Sequence, residues 1–370
     1  MSRPFPFLSS TDRADVERGR VLDPLVRAED VAHVALVTPD LERAERFYQD
    51  FGLFPSACSP DAVWLRAHGP AHHAVILRRG PRARFEAVAM RVDSELALRR
   101  LASLPGAAPI ERITEPGGGL RVRLAAPGGL AVHAVHGIAE VAPLPRRPAL
   151  AANRPAEKPR VDGTQRPARA PAELARLGHV ALETTHFART LLFWMRTFGM
   201  IVSDFQWLEE APGRGPVMAF TRCDRGEQPS DHHTIAIAAG AGDGLAHAAF
   251  ETEDLDAIAA GGAWLRERGW RHVWGIGRHI LGSQLFDYWR DPDGRTLEHY
   301  ADGDVLTAPA GTGRTPFRGT TLYQWGPPLP ADFVGPPPGP RFFVDLLRRR
   351  LGHEELRLGR LAAQRRALAR

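Results

Sequence analysis

Residues 177–203, LGHVALETTHFARTLLFWMRTFGMIVS, repeat residues 31–56, VAHVALVTPDLERAERFYQDFGLFPS. His179 falls on His33 and Phe193-Trp194 on Phe47-Tyr48. Gly199 falls on Gly52 after one inserted residue. Each copy starts as a strand with apolar residues alternating around its histidine. A turn follows, then apolar residues at helical spacing, then a glycine where a helix should end.

The repeat extends outward on both sides. VWLRAHG and HHAVILRRG read as strands in the first copy, PVMAFTRC and HHTIAIAAG in the second. Each half then runs through the pattern again. FEAVAMRVD and LAHAAFETED read as strands, SELALRRLASL and LDAIAAGGAWLRERG as helices. Further strands close each half around a turn, Pro127-Gly128-Gly129 or Asp291-Pro292-Asp293-Gly294. The spacing predicts an α+β fold of four βαβββ modules, paired into two domains with curved, barrel-like mixed sheets. The first domain is expected at 29–139 and the second at 174–304. Residues 1–28 read as an irregular arm. Residues 140–173, dense in Pro, Arg and Ala, read as a linker or an extended strap. Residues 305–370 form a tail ending in a basic amphipathic helix over 340–370, expected to be solvated or docked.

The chain of 370 residues is 44% hydrophobic and 25% charged, an ordinary globular balance with room for two cores. The net charge of +5 comes from basic residues scattered along the chain, so nucleic acid is not an expected partner. Two distant cysteines, Cys58 and Cys223, make neither a disulfide framework nor a cysteine metal site. No apolar run is long enough for a bilayer span and the N-terminus does not read as a signal peptide. A cytoplasmic protein with no membrane partner is therefore the default expectation.

Three polar residues of the second half interrupt apolar strand faces. Residues two apart share one face of a strand. By that rule His179 shares a face with Leu177 and Ala181, His247 with Leu245 and Ala249, and Glu298 with Thr296 and Tyr300. All three should point into the curved sheet, where a carboxylate is costly without a cation. Two imidazoles and one carboxylate make a facial triad that leaves positions on an octahedral metal open. A single buried histidine is more often a hydrogen-bonded core residue, but three at matched positions of repeated modules favour a metal site. The first half has His33, Ala87 and His133 at the corresponding positions. It therefore reads as a structural copy.

The second half resembles the type I extradiol ring-cleaving dioxygenases of the vicinal oxygen chelate superfamily. The carrying motif is Gly277-x-His279, then Tyr288, Asp291-Pro292-x-Gly294 and Glu298, with Asp287 where the signature usually has an apolar residue. The resemblance covers residues 30–305 and implies two vicinal oxygen chelate domains. It implies His179, His247 and Glu298 as ligands of iron(II), with manganese(II) accepted by the same set. It makes His233 the acid/base histidine, preferred to His232 because of the following threonine. His279 becomes a hydrogen-bond donor to the metal-bound substrate oxygen, and Tyr288 a contact to the ring hydroxyl. Ser283, Gln284 and Phe286 lie in the span expected to face substrate, and Trp207, Trp274 and Trp289 could add an aromatic wall. The segment around Trp325 could return as a lid.

The implied reaction is extradiol cleavage of a small aromatic diol by O2, in a homo-oligomer. Two other readings stay open. One is a metal-dependent isomerase or lyase on the same scaffold, which would turn over without consuming oxygen. The other is a protein that only binds an aromatic ligand, which would need no metal.

Overall fold

The computed structural model describes Phe5, residues 7–148, 150–209 and 215–331, Phe333, Glu355 and residues 358–369. Eight strands build the first sheet. They are β1 (Ala28–Thr38), β2 (Phe54–Ser59), β3 (Ala62–Arg66), β4 (Val75–Arg79), β5 (Arg84–Val92), β6 (Glu111–Arg112), β7 (Leu120–Ala125) and β8 (Ala131–His136). Their spatial order is β2-β3-β4-β1-β5-β8-β7-β6. Each module returns its last strand parallel to its first, β4 beside β1 and β8 beside β5. The two modules join through the antiparallel pair β1·β5.

The second half repeats this plan with β9 (Leu174–Thr184), β10 (Ile201–Leu208), β11 (Gly215–Arg222), β12 (Ser230–Asp231), β13 (Ile235–Ala239), β14 (Gly244–Thr252), β15 (Arg271–His279), β16 (Leu285–Arg290) and β17 (Thr296–Ala301). Three strands from the tail follow: β18 (Val305–Leu306), β19 (Gly313–Pro316) and β20 (Tyr323–Trp325). The large sheet runs β19-β10-β11-β13-β9-β14-β17-β16-β15-β20, so the tail extends both edges. Register shifts interrupt the central pairs β1·β5 and β9·β14. Such bulges bend the strands that carry them, which suits a cupped sheet.

The helices cover the backs of the sheets. Helix α2 (Leu41–Phe51) buries Leu41, Ala44, Phe47, Tyr48 and Phe51 along one stripe; Asp40 caps its start and Gly52 ends it in the left-handed conformation. Its second-half counterpart, α4 (Phe187–Phe198), is one residue longer, which absorbs the insertion between the copies. Helices α3 (Glu95–Ala102) and α5 (Leu255–Glu267) serve the second modules. One continuous apolar core spans both halves. Phe51 stacks on His299 at 3.9 Å and meets Phe250 at 5.6 Å. The His299 Nε2–H donates to the Phe51 carbonyl at 2.8 Å, and the indoles of Trp264 and Trp270 donate to Asp50.

The arm expected to be irregular contains a helix, α1 (Ser10–Arg18). Its sequence STDRADVER has no apolar period to reveal it. It is held by a Ser9 cap and by Arg196, which pairs with Asp12 and Asp15. Residues 141–148 and 150–173 carry no helix or strand. They run along the surface, tied near their start by Arg66 to the Ala142 carbonyl and by a paired Arg147–Asp254 contact. Of the expected terminal helix, residues 340–354, 356–357 and 370 lie outside the described residues. Helix α6 (Leu358–Leu368) docks through Ala363 against Leu208 and Val217. Among the described residues no helix is long and apolar enough to cross a membrane.

Phe51 is fully buried between the halves, so Phe51→Ala should cost about 3–5 kcal/mol by opening a cavity there. Denaturant unfolding should show the loss as a lower midpoint.

Candidate metal centre

The sheet register places the site. His179 on β9 pairs with Ala249 on β14, Ala249 with Glu298 on β17, and Glu298 with Tyr288 on β16. These four residues form one row across four strands, on one face of the sheet. His247 lies two residues along β14 and shares that face. Ala249 leaves the space between the two flanking side chains free. Gly178 clears the opposite side of His179: a Cβ there would lie 1.8 Å from the Tyr300 hydroxyl.

The side chains of His179, His247 and Glu298 converge. His179 Nε2 lies 3.2 Å and His247 Nε2 3.3 Å from Glu298 Oε2, and the two nitrogens are 3.3 Å apart. Ligand atoms about 2.1 Å from one metal at right angles lie about 3 Å apart, close to these separations. Glu298 is fully buried, and neither of its oxygens makes a well-aligned hydrogen bond; its near neighbours are imidazoles. A carboxylate so placed calls for a cation. Burial opposes its ionisation, yet the surrounding imidazoles of His179, His247 and His279 hold the carboxyl well below its usual range. Burial pushes His179 down as well, toward the neutral form that a ligand needs. Among the described residues, this is the one group of three such side chains close enough to share an ion.

His233 is buried beside His179, with ring centres 4.1 Å apart. Burial first, then the neighbouring His179 and His232, hold it well below the usual histidine range. On the other side His279 Nδ1–H donates to the Leu322 carbonyl at 2.7 Å. Its Nε2 therefore accepts from the Tyr288 hydroxyl, 2.9 Å away. For Nε2 to donate to a substrate oxygen, His279 must carry protons on both nitrogens. Burial, reinforced by the Glu298 charge, raises the Tyr288 phenol well above its usual range and keeps it a hydroxyl.

Phe286 stacks on His279 at 4.2 Å and meets Trp274 tilted at the same distance, so it belongs to the wall beside the site. Trp274 lies parallel to Tyr288, and Phe333 packs on both. Strand β20 pairs with β15 beside His279, bringing the tail back onto the site, although Trp325 itself points to solvent. The remaining candidates have surroundings of their own. Trp207 takes a cation–π contact from Arg314, and Trp289 takes one from Arg266 and bonds to Asp287. The Ser283 hydroxyl is engaged by Asp304 at the surface. Gln284 is buried, with its Oε1 lacking a donor.

The irregular motif residue has a physical account. Asp287 alternates with Tyr288, so it faces the back of the sheet. There it accepts from His272 Nε2 at 2.7 Å and from Trp289 Nε1 at 2.8 Å. A buried carboxylate is tolerated because both oxygens are satisfied. Reading the sequence alone missed the partners of His233. His232 Nδ1 lies 3.0 Å from His233 Nδ1, and His232 Nε2 lies 2.8 Å from Asp204. The doubled histidine was visible in the sequence; the distant Asp204 carried no signal.

The same row in the first sheet runs His33, Ala89, His133 and Arg123. Ala87 stands in place of His247 and Arg123 in place of Tyr288. His73 sits by His33, with ring centres 4.5 Å apart, as His233 sits by His179. The copy keeps imidazoles but has no carboxylate in the row, and it gains a cation.

The sequence profile of the Glyoxalase/Bleomycin resistance protein/Dioxygenase superfamily matches residues 176–299. The chain is 31% identical over 341 residues to metapyrocatechase 2 of Cupriavidus necator, covering 88% of this chain and 98% of that protein. The chain belongs to this superfamily, among its extradiol dioxygenases. It is also 26% identical over 287 residues to a manganese-dependent 2,3-dihydroxybiphenyl 1,2-dioxygenase of Geobacillus genomosp. 3, covering 75% of this chain and 86% of that one. Among solved structures, homoprotocatechuate 2,3-dioxygenase of Brevibacterium fuscum, in complex with 3,4-dihydroxyphenylacetate, superposes with a TM-score of 0.69. Its identity is 22% over 85% of this chain and 94% of that one. A Mn(II)-bound glyoxalase of Novosphingobium aromaticivorans gives a TM-score of 0.70 at 24% identity, over 85% of this chain and 96% of that one. At these identities the two structures speak for the fold, which is two vicinal oxygen chelate domains.

Metal analysis of protein purified without air should find iron or manganese in the wild type. Replacing His179, His247 or Glu298 with Ala should remove it; retention of metal in any one would refute the triad. A second expectation concerns acid. Burial holds His73 down to about 3 and His133 and His299 down to about 4. The unfolded chain, with histidines near 6.5, binds more protons than the native one as pH falls below that value. Stability should therefore be full at neutral pH and fall between about pH 6.5 and 4. The thermal midpoint followed across that range checks this, and His299→Gln should flatten the decline.

Proposed function

We infer that the protein opens a catechol-type ring next to its hydroxyls, using O2, at a metal held by His179, His247 and Glu298. The observation that carries this is the doubly unsatisfied Glu298 carboxylate beside two imidazoles, with a third imidazole, His233, on one side and the His279–Tyr288 pair on the other. A protein that only bound an aromatic ligand would gain nothing from that set. Iron(II) and manganese(II) both suit the ligands. When bound, the metal supplies a Lewis-acid centre that makes the diol easier to deprotonate and holds it next to O2.

The side chains divide the remaining work. His233, held neutral by burial, takes a proton from one ring hydroxyl and returns it as the ring opens. Tyr288, whose O–H donates to His279 Nε2, orients the other ring hydroxyl by accepting from it. His279, anchored by its Nδ1–H to the Leu322 carbonyl, holds the Tyr288 hydroxyl toward substrate. Trp274, Phe286 and Phe333 make an apolar surround in which these hydrogen bonds gain strength. Gln284 offers a buried amide oxygen for a polar ring substituent. Both atoms of O2 enter the product, an opened oxo-dienoate, with no outside reductant. The resemblance also carries a homo-oligomer and a cytoplasmic setting, and both belong to the proposal.

The test is anaerobic loading with iron(II), then oxygen uptake against a panel of catechols. Equimolar consumption of O2 and diol is expected, and His233→Gln should lower kcat by about 10²–10⁴-fold while metal is retained. Metal-dependent turnover without oxygen uptake would point instead to an isomerase or lyase.

A further inference from the structure

We propose that Asp204, acting through His232, sets which nitrogen of His233 carries the proton, and so is a positioning residue for the reaction. The inference rests on the role given to His233 above. Asp204 Oδ2 lies 2.8 Å from His232 Nε2, and a carboxylate only accepts, so the His232 proton is on Nε2. His232 Nδ1 is then a bare lone pair. It faces His233 Nδ1 at 3.0 Å, so the proton in that contact belongs to His233 Nδ1. The consequence is a His233 with a free lone pair on Nε2, the form of imidazole that can take a proton from a substrate hydroxyl.

The chain of contacts is built rather than incidental. His232 and His233 are both buried. The His232 backbone is clamped at both ends. Its N–H donates to the Asp304 carbonyl at 2.8 Å, and its carbonyl accepts from the Ser203 hydroxyl at 2.6 Å. Arg222 in turn donates to Ser203. Strand β19 makes room for the acid with a glycine, since a Cβ on Gly313 would come within 1.9 Å of Asp204 Oδ1. The first domain serves as an internal control. There His72 and His73 meet through Nδ1 atoms, also at 3.0 Å. In the strand register Ala57 of β2 occupies the place of Asp204 of β10. The carboxylate behind the histidine pair is present in the domain with the complete ligand set and missing from the copy.

The experiment uses the full chain labelled with 15N-histidine and loaded with Zn(II), a diamagnetic probe. Long-range 15N–1H correlation reads the tautomer of each ring. The expected result is His233 protonated on Nδ1 and His232 on Nε2. In Asp204→Asn the side-chain amide can donate to His232 Nε2, so both tautomers should reverse, and Asp204→Glu should restore them. With iron(II) in the same variants, kcat should fall by about 10²–10⁴-fold in Asp204→Asn, with KM and metal content unchanged. His233 protonated on Nε2 in the wild type would overturn the proposal, and that measurement needs no variant. So would unchanged tautomers in Asp204→Asn. If the tautomers reverse while His233→Gln still opens rings at full rate, the control by Asp204 stands and the acid/base role of His233 falls.

Discussion

A carboxylate with no access to water and no well-aligned hydrogen bond is the constraint around which the second domain is arranged. Glu298 lies on a central strand, where transfer from water would be prohibitive for an isolated charge. Two imidazoles brought within 3.3 Å, and the divalent cation they could share with it, resolve the conflict. The surroundings follow from that requirement. Ala249 and Gly178 are small because the row needs space, and the aromatic side chains of β15, β16 and the tail shut out solvent on the far side.

The two halves share one backbone plan and differ in a few side chains. Replacing His247 by Ala87, Glu298 by His133 and Tyr288 by Arg123 leaves a row with neither the carboxylate nor the second strand imidazole. Its buried histidines are held neutral instead. Helix α2 of the first domain presents Phe51, Tyr48 and Asp50 to the back of the second domain's sheet. Tyr48 bonds to Asp291, within the Asp-Pro-Asp-Gly turn that leads into the Glu298 strand. The copy thus helps to hold the strand that carries the ligand.

Much of this is legible in the amino-acid sequence. Alternation placed His179, His247 and Glu298 on one face because a strand allows its side chains only two directions. The repeat then supplied the pairing between modules. The arm was misread for an equally physical reason: α1 is held by a cap and by ion pairs to Arg196, and neither leaves an apolar period. The Ser283 hydroxyl donates to Asp304, a contact that local spacing does not announce. Asp287 looked like a flaw in the motif until the sheet showed it facing the other way, satisfied by His272 and Trp289.

The sequence by itself determined the modules, the two-domain plan and the identity of the ligand triad, because these depend on periodicity and on one buried charge that needs a partner. Only the tertiary structure decided which side chains stand behind them. Asp204 reaches His232 from a strand 28 residues away in sequence, and His279 donates a hydrogen bond through Nδ1–H to a carbonyl of the tail. Such contacts join segments through the curvature of the sheet and the return of the tail, and neither is written in local spacing.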